Sequence, residues 1–301
     1  MIASATSTEP ARGEAHRLSC DASGAETLMA LEFTLAAFNV FLRWRTPFFI
    51  DGQLARAERI ARWLDDPSLD AVALSEAFDP VSRALLLERL HVAFPHRTRL
   101  LGARTRPWRS GNGGVIIVSR WPIEEEDECV FEPPSPGEEG LVNKGVVYAR
   151  IRKKTQCVHV FATHAYAPFR PAHVRARQFE QVCAFIQTRG IAVTEPVLVA
   201  GDLNVHRHCE PDYRQLLKTL DACHPSTHGH EATYDPRCNR LAVGRTPLFL
   251  DYVLYLRGHL TPTQASNEVV RPSCDEWQRF PWSKPLRELS DHYPVVGRFT
   301  F

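Results

Sequence analysis

The sequence predicts one layered α/β domain, with two β-sheets packed face to face and helices outside. Three observations carry that reading. Short apolar runs of strand length alternate with amphipathic stretches of helix length along the whole chain. No linker, internal repeat or low-complexity tract divides them. A length of 301 residues, 44% hydrophobic and 24% charged, allows a large core and excludes a disordered or fibrous chain.

Residues 1–30 are small, polar and charged, and are read as a flexible N-terminal segment ahead of a single domain over 31–301. They lack the basic start and apolar block of a signal peptide, so the chain as written is expected to carry none and to be soluble. The longest apolar candidate, 28–42, is interrupted by Glu32 and Asn39 and is too short to span a bilayer. Within it, 33–40 reads as a buried strand. A helix follows over about 51–64, its inward face set by Ile60, Trp63 and Leu64. A second apolar run covers 70–74, and Asp79 before Pro80 starts another helix with Leu86, Leu87 and Leu90 as apolar positions. From Thr98 the rhythm turns to short β runs at 114–119, 145–151 and 157–163, with a Pro- and Glu-rich loop at 132–140. A helix over 172–188 precedes a strand at 196–200. A short helix over 213–220 and strands over 248–256 and 293–301 complete the chain.

Charge names no partner: 36 Lys and Arg against 35 Asp and Glu give no global basic field, which argues against nucleic acid. None of the eight cysteines forms a C-x-x-C pair, which excludes a zinc ribbon or dithiol redox motif. Cys157 and Cys183 sit in apolar-periodic segments and read as reduced core residues. His206, His208, Cys209, Cys223, His224, His228 and His230 have the right chemistry for a zinc-binding module, but their spacing provides no zinc framework, and surface histidines account for them better.

Polar residues recur at the ends of apolar runs, where a loop can present them beside a sheet. Asn39, Glu76, His164 and the pair Asp202 and Asn204 each follow such a run; Asp251 interrupts another, and Asp291 and His292 open the last. Carboxylates and amides suit a hard divalent cation such as Mg²⁺, with Glu76 the best first ligand. A histidine backed by a buried aspartate can take a proton from water, and His292 with Asp251 would form that pair. The chemistry implied is hydrolysis of a phosphodiester. Singly, each residue could be a cap, a turn residue or a core histidine; together they could not all be so.

The ordered set Asn39, Ser75-Glu76, Thr163-His164, Gly201-Asp202-Leu203-Asn204, Leu250-Asp251-Tyr252 and Ser290-Asp291-His292 resembles the endonuclease/exonuclease/phosphatase superfamily across nearly the whole chain. Residues 113–123 (GGVIIVSRWPI), 143–148 (NKGVVY), 229–235 (GHEATYD) and 290–295 (SDHYPV) narrow the resemblance to the bacterial-type neutral sphingomyelinases. The resemblance implies a four-layer α/β sandwich, two packed mixed sheets flanked by helices, with 31–301 as its catalytic domain. It also implies hydrolysis of sphingomyelin to ceramide and phosphocholine with Mg²⁺, for which Mn²⁺ or Co²⁺ could substitute. Glu76 would hold the metal, with Asn39 and Asp291 nearby. His292 would be the general base oriented by Asp251, Asp202 and Asn204 would position water and phosphate, and His164 would stabilise the transition state or the leaving alkoxide. Trp277, Phe280 and Trp282, flanked by Arg279 and Lys284, would contact the membrane, and Lys144 is a further substrate or membrane contact. Members of the family are often secreted, usually carry a signal peptide and can carry disulfides, whereas the tract 165–170 after His164 has no cysteine and is shorter than the corresponding loop of secreted members. Two alternatives stay open within the superfamily, a hydrolase of another choline phospholipid and a DNA or abasic-site endonuclease.

Overall fold

Strand β1 (Glu32–Leu42) runs through the middle of the molecule because its side chains leave only Glu32 exposed and Thr34 half-buried. A nearly continuous apolar run of this kind is stable only with both faces covered. Alternation divides it: Phe33, Leu35 and Ala37 point into one core, and Ala36, Phe38 and Val40 into another. The computed structural model describes residues 1, 30–44, 51–103, 112–167, 171–280 and 282–301. The chain divides into residues 1–30 and the unit Leu31–Phe301, and only the second is described below. The expected flexibility of residues 1–30 falls, save for their two ends, outside the described residues, as do Cys20 and the last three residues of the tract 165–170.

Helix α1 (Gln53–Leu64) leaves a left-handed Gly52 and buries Ala57, Ile60, Ala61 and Leu64 against β1. Strand β2 (Ala71–Ala77) then lies parallel to β1. Helix α2 (Pro80–Leu90) starts as its sequence requires: the Asp79 carboxylate accepts from Ser82 N at 2.9 Å, and Pro80 takes a first-turn position where no N–H is needed. Next come β3 (His96–Arg97), β4 (Ile116–Ser119), β5 (Ile123–Val130), a 3-10 turn at Gly137–Leu141, β6 (Gly145–Lys153), β7 (Gln156–His164) and α3 (Ala172–Thr188). Strand β8 (Val197–Asp202), α4 (Glu210–Leu220), β9 (Ala222–Cys223), β10 (Ser226–Gly229), β11 (Asp251–Leu256), β12 (Gln264–Val269) and β13 (Val295–Thr300) follow.

The strands form two mixed sheets, ordered β10-β12-β13-β1-β2-β4-β3 and β5-β6-β7-β8-β11-β9. Phe33, Leu35, Val147, Val160, Leu198, Val253 and Val295 belong to the core between them. Helices α1 and α2 cover the outer face of the first sheet through Ile60, Leu64, Leu86 and Leu90. Helices α3 and α4 bring Phe179, Val182, Leu216 and Leu220 to the second. This is the four-layer α/β sandwich expected.

The differences are at sheet edges. Strand β5, IEEEDECV, has no strand-like alternation, yet it pairs with β6 as the edge of its sheet, where its acidic side chains face solvent and arginines except for Glu128, which is buried and accepts from Gly102 N. Glu126 accepts from Arg99 N, and Asp127 accepts from Arg189 at 2.6 Å. The polar β12 is held between β10 and β13. The strand expected over 248–256 begins only at Asp251, because Leu248 is taken by an isolated bridge to Tyr234. Glu76 lies within β2 rather than in a loop after it, and Asn39 lies within β1, as the strand expected over 33–40 places it.

Candidate active site

The residues at the carboxyl ends of β1, β2, β7 and β8 meet those at the start of β11 and before β13. Parallel pairing sets this up: Asn39 is in register with Ser75 beside Glu76, and His164 with Asp202. The register between β1 and β2 shifts after Asn39, and Glu76 has a left-handed φ of 56°. A non-glycine residue in that region is held there by its surroundings. Here the conformation turns the Glu76 carboxylate toward the site, so that Asn39 Nδ2 donates to Glu76 Oε1 and Asp202 Oδ2, both at 3.1 Å. Asn204, also left-handed at φ 53°, donates its backbone N–H to Asp202 Oδ1 at 3.1 Å and its amide to Ala165 O at 3.0 Å.

Asp251 Oδ2 lies 2.7 Å from His292 Nδ1, both buried, which leaves Nε2 facing Asp202 Oδ2 at 3.8 Å. The partners come from opposite sheets: His292 lies three residues before β13 of the first begins at Val295, and Asp251 begins β11 of the second. His164 Nε2 is 3.5 Å from Asp202 Oδ2 and 3.9 Å from Glu76 Oε1. Ser290 Oγ donates to Asn39 O at 2.6 Å and accepts from His292 N at 3.2 Å, fastening the loop of Asp291 and His292 onto β1.

Electrostatics follow from burial. Removal from water pushes the Asp202 carboxyl up to about 7, with Asp251 adding repulsion and His292 opposing it. Burial likewise pushes Asp291 up to about 7, although His292 opposes this, and Glu76 adds to the rise. Burial alone would lower His292, but Asp251 and Asp202 raise it well above its ordinary value. His164 is held well below its ordinary value by burial and by Lys144. Crowded carboxylates of Glu76, Asp202 and Asp291, with no soft ligand among them, form a donor set that fits a hard divalent cation. Asp202, Asp251 and His292 also place ligand atoms within 4.8 Å of one another.

The family model for the Endonuclease/Exonuclease/phosphatase family matches residues 36–292, which include every residue of this cluster. The chain belongs to that family. Among curated members, a Bacillus cereus sphingomyelinase C is 32% identical over 93% of this chain and 90% of its own length. Sphingomyelinase C from Streptomyces griseocarneus superposes with a TM-score of 0.81 at 30% identity, covering 89% of this chain and 99% of that one. A variant of the Staphylococcus aureus beta toxin, solved with bound magnesium ions, gives 0.82 at 29% identity over 89% and 99% of the two chains.

This family member brings Asn39, Glu76, His164, Asp202, Asn204, Asp251, Asp291 and His292 into one cluster. Lys144 lies beside it: the side chain is buried and donates to Ala165 O at 2.8 Å, so it does not reach a membrane. The aromatic trio separates. Trp282 is 82% exposed and stacks on the half-buried Phe280 with centroids 5.5 Å apart. Trp277 is instead a core residue, packed with Leu241 and Leu286 over Gly52, its Nε1 donating to Glu288 O at 3.0 Å. The set weighed for zinc does not assemble as a whole, and among the described residues His230 alone of its members joins a cluster of ligand-type side chains, with Asp235 and Cys238. His224 is taken by Tyr213 and Thr227, and His206 accepts from Phe249 N.

Sequence reasoning missed the residues behind the site. Arg56 is fully buried and donates to the carbonyls of Val40, Phe41, Asp51 and Leu289. Thr233 Oγ1 accepts from the backbone N–H groups of Leu250 and Asp251, and Asn239 donates to Ser290 O at 2.9 Å. The one signal for Arg56 was a charged residue on the inward face of α1, four before Ile60.

Proposed function

We propose that this protein is a Mg²⁺-dependent phosphodiesterase that hydrolyses sphingomyelin to ceramide and phosphocholine. The observation that carries the proposal is the buried His292–Asp251 pair, 2.7 Å apart, opening onto the oxygen-rich cluster of Glu76, Asn39, Asp202 and Asp291. Glu76 would hold the metal, with Asn39 and Asp291 beside it. When bound, Mg²⁺ neutralises the crowded carboxylates and stabilises charge on the phosphoryl oxygens.

Asp251 holds the His292 ring by Nδ1, and with the cation's charge offsetting Asp202 and Asp291, which otherwise favour the protonated ring, Nε2 would be free to take the proton of the attacking water. The imidazolium that forms keeps its counter-charge within hydrogen-bond distance. Asp202, fixed by Asn39 and Asn204, positions that water. His164, neutral in its buried setting, stands where its Nε2 can donate to the phosphoryl oxygen or the departing alkoxide. These groups are ordered by hydrogen bonds before substrate arrives, so little reorganisation accompanies the reaction.

Peripheral membrane contact is assigned to Trp282 and Phe280, with Arg279 and Lys284 flanking them, because a large exposed aromatic stack suits the lipid headgroup region. Among the described residues no helix is long and apolar enough to cross a membrane. Trp277 is left out of that contact, and Lys144, whose charge acts on His164, is assigned to the substrate side.

The test measures phosphocholine release from sphingomyelin vesicles with Mg²⁺, with EDTA and for Glu76→Ala, beside phosphatidylcholine vesicles and an abasic-site DNA duplex. Release that needs both metal and Glu76 and prefers sphingomyelin is expected. Preference for phosphatidylcholine would move the substrate to another choline lipid, and cleavage of DNA alone would overturn the lipid assignment.

A further inference from the structure

A second cluster of ligand-type side chains stands apart from the catalytic residues. After β10, His230 turns back so that its Nε2 lies 3.0 Å from Asp235 Oδ2, and Cys238 Sγ comes within 3.8 Å of the same nitrogen. The three ligand atoms all lie within 4.8 Å of one another. Asp235 is buried, and His230 and Cys238 are partly accessible, so an ion has both a seat and a way in. One nitrogen, one carboxylate oxygen and one thiolate at these separations suit a tetrahedral ion bonded at about 2.0–2.3 Å to each, whereas Mg²⁺ prefers oxygen alone.

We propose that His230, Asp235 and Cys238 form a binding site for zinc or a similar borderline-soft divalent ion. The surroundings are built for it. Arg237 donates to both oxygens of Asp235 from its backbone and guanidinium, holding the carboxyl well below its usual range and leaving it ionised. These hydrogen bonds can persist on binding, because the ion takes the place of the proton between His230 and Asp235. An outer partner on a ligating carboxylate is the usual support for a zinc ligand. The Tyr293 hydroxyl, 3.5 Å from Cys238 Sγ, can donate to the thiolate once its proton has left. Binding therefore releases the Cys238 thiol proton and any proton on His230 Nε2, and forms three metal–ligand bonds, with water in the fourth position.

The site would staple the segment from 230 to 239. That segment supports both halves of the His292–Asp251 pair: Thr233 receives the Asp251 N–H, Tyr293 N donates to Thr233 O at 2.6 Å, and Asn239 holds Ser290 O. The ion is thus structural, distinct from the hard cation assigned to catalysis.

Cobalt is the probe. With excess Mg²⁺ present to fill oxygen sites, Co²⁺ titrated into the reduced full chain should give a near-ultraviolet thiolate-to-cobalt charge-transfer band that saturates at one equivalent and is displaced by Zn²⁺. Cys238→Ser should abolish the band, His230→Gln should weaken Co²⁺ binding at least tenfold, and Cys209→Ser, at an exposed thiol, should leave it unchanged. Thermal melts identify variants that fold, and in the wild type Zn²⁺ should raise the midpoint by an amount lost in both site variants. Absence of the band, or a band that survives Cys238→Ser in a folded variant, overturns the proposal and leaves the trio a hydrogen-bonded network.

Discussion

Replacing Asp251 by Asn tests the division of labour at the centre of the site. The change keeps the side chain's size and removes its charge. Asp251 Oδ2 is 2.7 Å from His292 Nδ1, and among the described residues its Oδ1 has no hydrogen-bond partner, so the carboxylate's charge is directed at the imidazole. At an effective dielectric of about 20, a unit charge pair at that distance is worth about 6 kcal/mol. An amide oxygen retains part of the attraction; losing half still raises the barrier by about 3 kcal/mol, about a hundredfold in rate. We expect kcat on sphingomyelin vesicles to fall at least that far at saturating Mg²⁺. KM should change little, because Asp251 is assigned contact with neither lipid nor metal. The assay is phosphocholine release as a function of pH, with the melting temperature as a control for folding. A loss below tenfold in a folded variant would refute the role given to Asp251.

Four further outcomes are expected. Arg56→Met leaves four buried carbonyls without their donor, so urea denaturation should show a loss of about 3 kcal/mol even after the cost of burying the charge is removed. His224, pushed down to about 4 by burial, cannot take up a proton that the unfolded chain binds below about 6.5; stability is full above that pH and declines as pH falls toward 4, by about 3 kcal/mol. Urea melts at pH 7 and 4.5 should therefore show a smaller acid loss for His224→Asn than for the wild type. Trp282→Ser should leave the melting temperature within about 1 °C, yet reduce binding to sphingomyelin vesicles at least threefold. Trp277→Ser should lower the melting temperature markedly, as loss of a core aromatic does.

What the sequence displayed and what it concealed divide along physical lines. Asp79-Pro80 announces a helix start through groups that act on their immediate neighbours, and the helix over 172–188 shows its apolar face in its spacing. The candidate cluster is legible because carboxylates, amides and histidines at the ends of apolar runs are chemically conspicuous. Their backbone settings were not: the left-handed Glu76 and the register shift after Asn39 arise from pairing between β1 and β2, which no local pattern encodes. Strand β5 was hidden because its alternation is replaced by charge that only an edge position and nearby arginines tolerate. Trp277 was misplaced beside Trp282 because proximity in sequence says nothing of which side of a loop meets Leu241 and Leu286. Arg56 and Thr233 do their work through backbone carbonyls and amides, which are the same in every sequence.

The origin of His292 and Asp251 on different sheets bears on how activity is acquired. Neither sheet alone holds a base with its orienting charge, and the hydrogen bond between them spans the interface that the largest core fills. A chain with both sheets formed but not yet docked would have nearly all its secondary structure and no turnover. Recovery of activity after denaturant is diluted should therefore lag the far-ultraviolet signal and coincide with closure of the core, so that each turnover reports the docking of the two halves.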